Sequence, residues 1–166
     1  LIAYLSLFLG LLIIYIISLS LSINILILIL LSCTLGYLYQ GPPFRLGYLG
    51  LGEPLCWLAF GPLAFAAGLI ALNPIGIYAN EIPWRESLLL GTSPALSITL
   101  VLFCSHFHQI KEDKKYGKSS PLVLMGTKKS ASLVPLIVIF IYSFQTYTIL
   151  IEFIPRLCFL YLISLP

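Results

Sequence analysis

No Asp, Glu, Lys or Arg occurs in residues 1–44, and nearly every position there is apolar. A membrane span needs about 20 such residues, so this stretch is too long for one helix. The interruption SLSLSIN at residues 18–24 divides it into predicted spans over residues 1–19 and 23–39. A Gly/Pro-containing loop, residues 40–53, leads to a third span over residues 54–72. Residues 73–93 read as an amphipathic connection carrying Tyr78 and Trp84, types that collect at membrane interfaces. Ser93 and Pro94 match an N-cap followed by proline at the first helical position, which predicts a fourth span over residues 94–110, or a start nearer Glu86. A lysine-rich loop, residues 111–129, precedes a fifth span over residues 130–151. A sixth, residues 156–166, opens after Pro155.

Composition narrows the class. The chain has 166 residues, 60% hydrophobic and 9% charged, with a mean hydropathy of +1.05. Soluble domains carry about 25% charged residues, and disorder needs low hydrophobicity with high charge, so both classes are excluded. Cysteines at 33, 56, 104 and 158 show no CxxC spacing and read as small apolar span residues. The expected fold class is all-α, a polytopic transmembrane helical bundle. The chain opens inside one apolar run and closes inside another, so the expectation is an internal fragment: a single transmembrane domain over residues 1–166, truncated at both ends.

Charge sets the orientation. Of nine Lys+Arg, Lys111, Lys114, Lys115, Lys118, Lys128 and Lys129 lie in one loop. The positive-inside rule places this loop on the cytoplasmic side or its plastid equivalent. Alternation of spans then brings the Arg45 loop to the same face.

These two loops hold the candidate chemistry. At 100° per residue, His106, Gln109 and Asp113 fall within about 60° of one another, with Glu112 about 100° away. Such a stripe at a helix end, followed by Gly117 and Lys118, suits a hard cation with a polyphosphate. It equally suits a juxtamembrane collar whose lysines reach anionic headgroups. His106 and His108, two residues apart, point to different faces and do not make a helical zinc pair. The loop of residues 37–53 holds four glycines and two prolines, besides Arg45 and several tyrosines. Gly and Pro together build a shaped loop, and Arg suits bidentate phosphate contact. A plain interfacial aromatic belt is the competing description.

At these loops the sequence resembles the UbiA superfamily of intramembrane prenyltransferases. The branch it looks most like is the 1,4-dihydroxy-2-naphthoate prenyltransferases of cyanobacteria and plastids. The stretches that carry the resemblance are LGYLYQGPPFRLGYLGLGE (residues 35–53), FGPLA (60–64), SHFHQ (105–109) and GKSSP (117–121). The resemblance implies nine helices around a lipid-open cavity, of which about six are present here. The first two helices, a first Asp-rich motif and the last helix would be missing. It implies Mg²⁺ at a second Asp-rich motif, whose places here are His106, Gln109 and Asp113, with Glu112 as a substitute acid. Lys118 matches the Gly-Lys after that motif. Tyr39 and Arg45 match the family's Tyr-x-x-x-Pro-x-Lys/Arg loop. Arg45, Lys118 and Tyr39 are thereby the implied catalytic residues. Tyr39, Arg45, Gln109 and Lys118 bind substrate, and Asp113, Glu112 and Gln109 bind metal.

The implied reaction transfers a phytyl or polyprenyl group from its diphosphate to 1,4-dihydroxy-2-naphthoate with loss of CO₂, for phylloquinone or menaquinone. The implied partners are these substrates and membrane lipid, with no nucleic acid. The setting is a bacterial plasma or thylakoid membrane, or a plastid membrane. The alternatives are a homogentisate or chlorophyllide acceptor, or a non-enzymatic transporter subunit. A transporter is expected to carry intramembrane charges or broken helices along a pathway, whereas charges here sit almost only in loops.

Overall fold

The computed structural model describes residues 2–72 and 81–164. These are helical, with no strand among the described residues. Helix α1 (Ile2–Ser20) and helix α2 (Ile23–Gln40) break where the Ser/Asn interruption predicted. Ser22 caps α2, its side chain accepting from the Asn24 amide at 3.2 Å. A short 3-10 helix (Leu46–Leu49) follows, then α3 (Gly52–Leu58), a π turn (Ala59–Leu63) and α4 (Ala64–Leu72). Together these last three form one continuous span. Pro62 explains the π turn: it lacks an N–H and clashes with the preceding turn, and widening the helix accommodates both.

Helix α5 runs from Trp84 to Lys115, so of the two predicted starts the one near Glu86 is found and the one at Pro94 is not. Pro94 is exposed on its outer side, while Gly91, Thr92, Ser93 and Ala95 beside it are buried. Of these, Gly91 and Ala95 pack against the π turn. A Cβ on Gly61 would stand 2.8 Å from the Ala95 Cβ, and one on Gly91 would stand 2.9 Å from the Gly61 carbonyl. Close backbone approach of small residues is how helices associate in lipid. This packing outweighs the hydrogen bond that proline removes. The amphipathic connection is therefore partly helix, and its Tyr78 lies outside the described residues.

The predicted lysine loop is also largely helical. Lys111, Lys114 and Lys115 belong to α5, while Lys128 and Lys129 open helix α7 (Thr127–Leu150). Helix α6 (Pro121–Met125) lies between them. Of the predicted sixth span, residues 156–166, the structure describes Arg156–Ser164. After Pro155 the chain forms a 3-10 helix (Arg156–Ser164) laid on α7, with Tyr161 stacked on Tyr142 at 5.3 Å. Nine residues of 3-10 helix rise about 18 Å.

Among the described residues five helical segments are long and apolar enough to cross a membrane: α1, α2, the α3–α4 span, α5 and α7. In α1 only Ser18 is buried, and Tyr4, Phe8 and Ile16 are exposed. Such a surface is ordinary against lipid and an aggregation hazard in water. The α2 hydroxyls of Ser32 and Thr34 satisfy themselves locally: Ser32 Oγ donates to the Leu28 carbonyl at 2.9 Å and Thr34 Oγ1 to that of Leu30 at 2.8 Å. The core joins α2 (Ile25, Leu28) to Leu63 and α4 (Ala66, Ile70).

Candidate functional site

Helix α5 has 32 residues and so spans about 48 Å, well beyond a 30 Å hydrocarbon core. Its last turns project past the apolar layer, which carries His106 and Asp113 into the interface. The helix then ends in a Schellman cap. The Lys118 amide donates to the Asp113 carbonyl at 2.8 Å and the Gly117 amide to that of Lys114 at 3.3 Å. Gly117 has φ +69°, where a side chain is strained. The cap folds the chain back so that Lys118 Nζ lies 3.6 Å from Asp113 Oδ1.

The arginine-bearing loop meets this cap directly. The Ser119 amide donates to the Tyr48 carbonyl at 2.7 Å. Gly50 permits the approach, because a Cβ there would stand 2.8 Å from the Ser119 carbonyl. The two loops thus lie at one end of the bundle, joined by a backbone hydrogen bond.

Beneath them runs a chain of ionisable groups. His106 is 2% exposed and Asp113 6%. His106 Nδ1 lies 3.1 Å from Asp113 Oδ2. A carboxylate only accepts, so Nδ1 carries the proton of that bond. On the other side of the ring, Nε2 lies 3.4 Å from Glu53 Oε1, which comes from the first turn of α3. The order is Glu53, His106, Asp113, Lys118, alternating acid and base.

Two cavities open here. An apolar one of about 900 Å³ lies between α2, the α3–α4 span and α5, lined by Ile29, Gly36, Phe60, Ala64, Ile98 and others. A polar one of about 310 Å³ is lined by Tyr48, His106, Gln109, Glu112, Asp113 and Lys118, among others. Tyr39, Leu102 and Ser105 line both. Tyr39 is held there by two glycines. A Cβ on Gly47 would come within 3.1 Å of its ring, and one on Gly52 within 3.2 Å.

Of the residues singled out from sequence, Tyr39, Gln109, Glu112, Asp113 and Lys118 come together in the polar cavity. Arg45 is not among its lining residues. Its guanidinium lies over the Tyr48 ring, 5.8 Å from the centroid, and Tyr48 is what lines the cavity. Sequence reasoning missed Glu53, Tyr48 and Ser105. A signal for Glu53 was available: a lone acid heading a long apolar segment needs a partner.

Among the described residues no group of three or more His, Cys, Asp or Glu is placed to hold a metal ion. What the polar cavity offers is two carboxylates, Glu112 and Asp113, and the Gln109 amide oxygen. Mg²⁺ is commonly bound by one or two carboxylates plus phosphate oxygens. The donor set fits an ion that arrives with a polyphosphate, and does not fit a cage made of protein alone.

The chain belongs to the UbiA prenyltransferase family, whose model matches residues 1–165. It is 42% identical over 135 residues to a 2-carboxy-1,4-naphthoquinone phytyltransferase of Synechocystis sp., covering 80% of this chain and 41% of that protein. It is 43% identical over 125 residues to the chloroplastic 2-carboxy-1,4-naphthoquinone phytyltransferase of Arabidopsis thaliana, covering 74% and 32%. A 1,4-dihydroxy-2-naphthoate octaprenyltransferase of Bacillus subtilis is 27% identical over 100 residues, covering 60% and 30%. The chain therefore spans less than half the length of each of these relatives. No solved structure matches it.

Proposed function

We propose that the protein transfers a phytyl or polyprenyl group from its diphosphate to 1,4-dihydroxy-2-naphthoate with loss of CO₂, in phylloquinone or menaquinone synthesis. The observation that carries this reading is the junction of two unlike cavities at Tyr39. One is large and apolar and takes an isoprenoid tail; the other is small and charged and takes its diphosphate. Membership of the family and the printed activities of the relatives support it. The cyanobacterial and chloroplast origins of two of those relatives support a thylakoid or plastid setting.

The diphosphate C–O bond breaks with its electron pair passing to the leaving oxygen. Lys118 in the polar cavity stabilises that charge, and Arg45 approaches it from above Tyr48. Fixed cations aimed at developing charge are a large catalytic contribution in a site shielded from water. Asp113, Glu112 and Gln109 would hold Mg²⁺, which would supply neutralisation of the diphosphate charge. The Tyr39 ring faces the allylic cation formed at the junction. The naphthoate ring supplies the electron pair of the new C–C bond. Its carboxyl then departs as CO₂, and the electrons of that bond restore aromaticity.

The test uses membranes containing the protein expressed from its complete reading frame, supplied with phytyl diphosphate and three acceptors. Mass spectrometry is expected to find prenylated, decarboxylated naphthalenediol. Transfer only to homogentisate or chlorophyllide would replace the acceptor assignment, and no transfer to any of them would remove the reading.

A further inference from the structure

Glu53 takes no part in the mechanism above, yet it is placed with care. Its side chain is 15% exposed. It lines neither cavity. Among the described residues Oε1 is buried and finds no hydrogen-bond donor, although His106 Nε2 is only 3.4 Å away. A buried carboxylate is expensive to desolvate and persists where a charge partner holds it. The facing group here is the His106 ring, which holds both acids when each nitrogen carries a proton, Nδ1–H toward Asp113 and Nε2–H toward Glu53.

The geometry points to Glu53 and His106 as a positioning pair for Asp113, a role that rests on the diphosphate reading of the polar cavity. Glu53 fixes the imidazole from α3. The imidazole ties down Asp113 Oδ2 from two helical turns away on α5. Oδ1 is thereby turned toward Lys118 and the cavity, so that acid and base face a phosphate at fixed separation. Without Glu53 the ring is free to rotate, and the carboxylate with it. The pair also braces α3 against α5 directly beneath the phosphate-facing groups. Both residues act through Asp113, and neither needs to touch substrate.

The probe is Mn²⁺ with inorganic pyrophosphate, bound to the purified full-length protein and read by electron paramagnetic resonance. Donor KM and kcat are measured in parallel. Partners that orient metal-site groups change affinity by about 10- to 100-fold. Glu53→Gln, which keeps the shape and removes the charge, is expected to weaken Mn²⁺–pyrophosphate binding about tenfold. It should raise donor KM by a similar factor and leave kcat within about twofold, the pattern of lost uniform binding. Glu53→Asp, which keeps the charge, is expected to recover part of the affinity. In the His106→Gln background, Glu53→Gln should add nothing, because the contact it acts through is gone. His108→Gln, on an exposed position of the same helix, is the control and should bind as wild type.

Wild-type affinity in Glu53→Gln, or equal and independent losses in the single and double variants, would overturn the positioning role alone. Failure of the wild-type protein to bind Mn²⁺–pyrophosphate would remove the diphosphate reading, and this role with it. If Glu53→Gln does not accumulate in membranes, Glu53→Asp decides: its affinity must fall between wild type and His106→Gln.

Discussion

Replacing Gly117 by alanine isolates the contribution of the α5 cap to phosphate binding. Gly117 has φ +69°, and a Cβ built there meets no atom within 4 Å. The substitution therefore adds no clash and acts only through the backbone. A non-glycine residue in the left-handed region is disfavoured by about 1–2 kcal/mol. That strain bears on the bond from the Lys118 amide to the Asp113 carbonyl and on the 3.6 Å approach of Lys118 Nζ to Asp113 Oδ1. If the cap opens to relieve it, the fraction of molecules presenting Lys118 falls, and donor KM rises by at most about 5- to 30-fold. Asparagine tolerates the left-handed region better than alanine, so Gly117→Asn is expected to fall between wild type and Gly117→Ala. The assay is the dependence of prenyl transfer on diphosphate donor at saturating acceptor, in membranes with matched protein content. Unchanged donor KM in Gly117→Ala, or an asparagine variant worse than alanine, would refute the link from backbone cap to cation placement.

Asp113→Asn is expected to lower Mg²⁺-dependent transfer by on the order of 100-fold or more, since it removes the carboxylate that faces both Lys118 and the cavity; wild-type turnover would take Asp113 out of the site. Arg45→Ala should raise donor KM about tenfold, the loss of one charge-assisted contact, without altering membrane insertion. An unchanged donor dependence there would leave its guanidinium with only its Tyr48 contact. Gly36 lines the apolar cavity with open space at its Cβ position, so Gly36→Phe is expected to shift kcat/KM toward shorter prenyl diphosphates by about tenfold, scored from product lengths. Gly91→Leu places a Cβ 2.9 Å from Gly61 backbone atoms and should destabilise the protein by about 1–3 kcal/mol, seen as a lower unfolding midpoint in detergent.

The helices and the charged stripe were legible because each rests on local pattern. The break at Ser22, the spans of α1 and α2, and the shared face of His106, Gln109 and Asp113 all follow from hydropathy or from 100° per residue. What stayed hidden was long-range. Sequence left the α5 start open between Pro94 and Glu86; what decided for the earlier one is that Gly91 and Ala95 are pressed against Gly61, thirty residues or more earlier in sequence. The 3-10 form of Arg156–Ser164 was hidden for a similar reason: an apolar run specifies burial or lipid contact, but not which kind of helix it makes. Glu53 was overlooked because its partner, His106, lies on another helix.

The glycines of the loop after α2 show how such distant demands are nevertheless written into a sequence. As local signals they mark only a turn. In three dimensions Gly47 and Gly52 flank the Tyr39 ring and Gly50 admits the Ser119 carbonyl. Each is a place where a side chain would displace something the site uses. A larger residue at 47 or 52 would push the phenol away from the boundary between greasy and charged space, and one at 50 would part the two loops. The glycines that the sequence marks as shaping the loop are those that let it be packed tightly. Glycine density in an interfacial loop is then a packing requirement, and the object it packs around, here an aromatic ring shared by two cavities, is the place to look for chemistry.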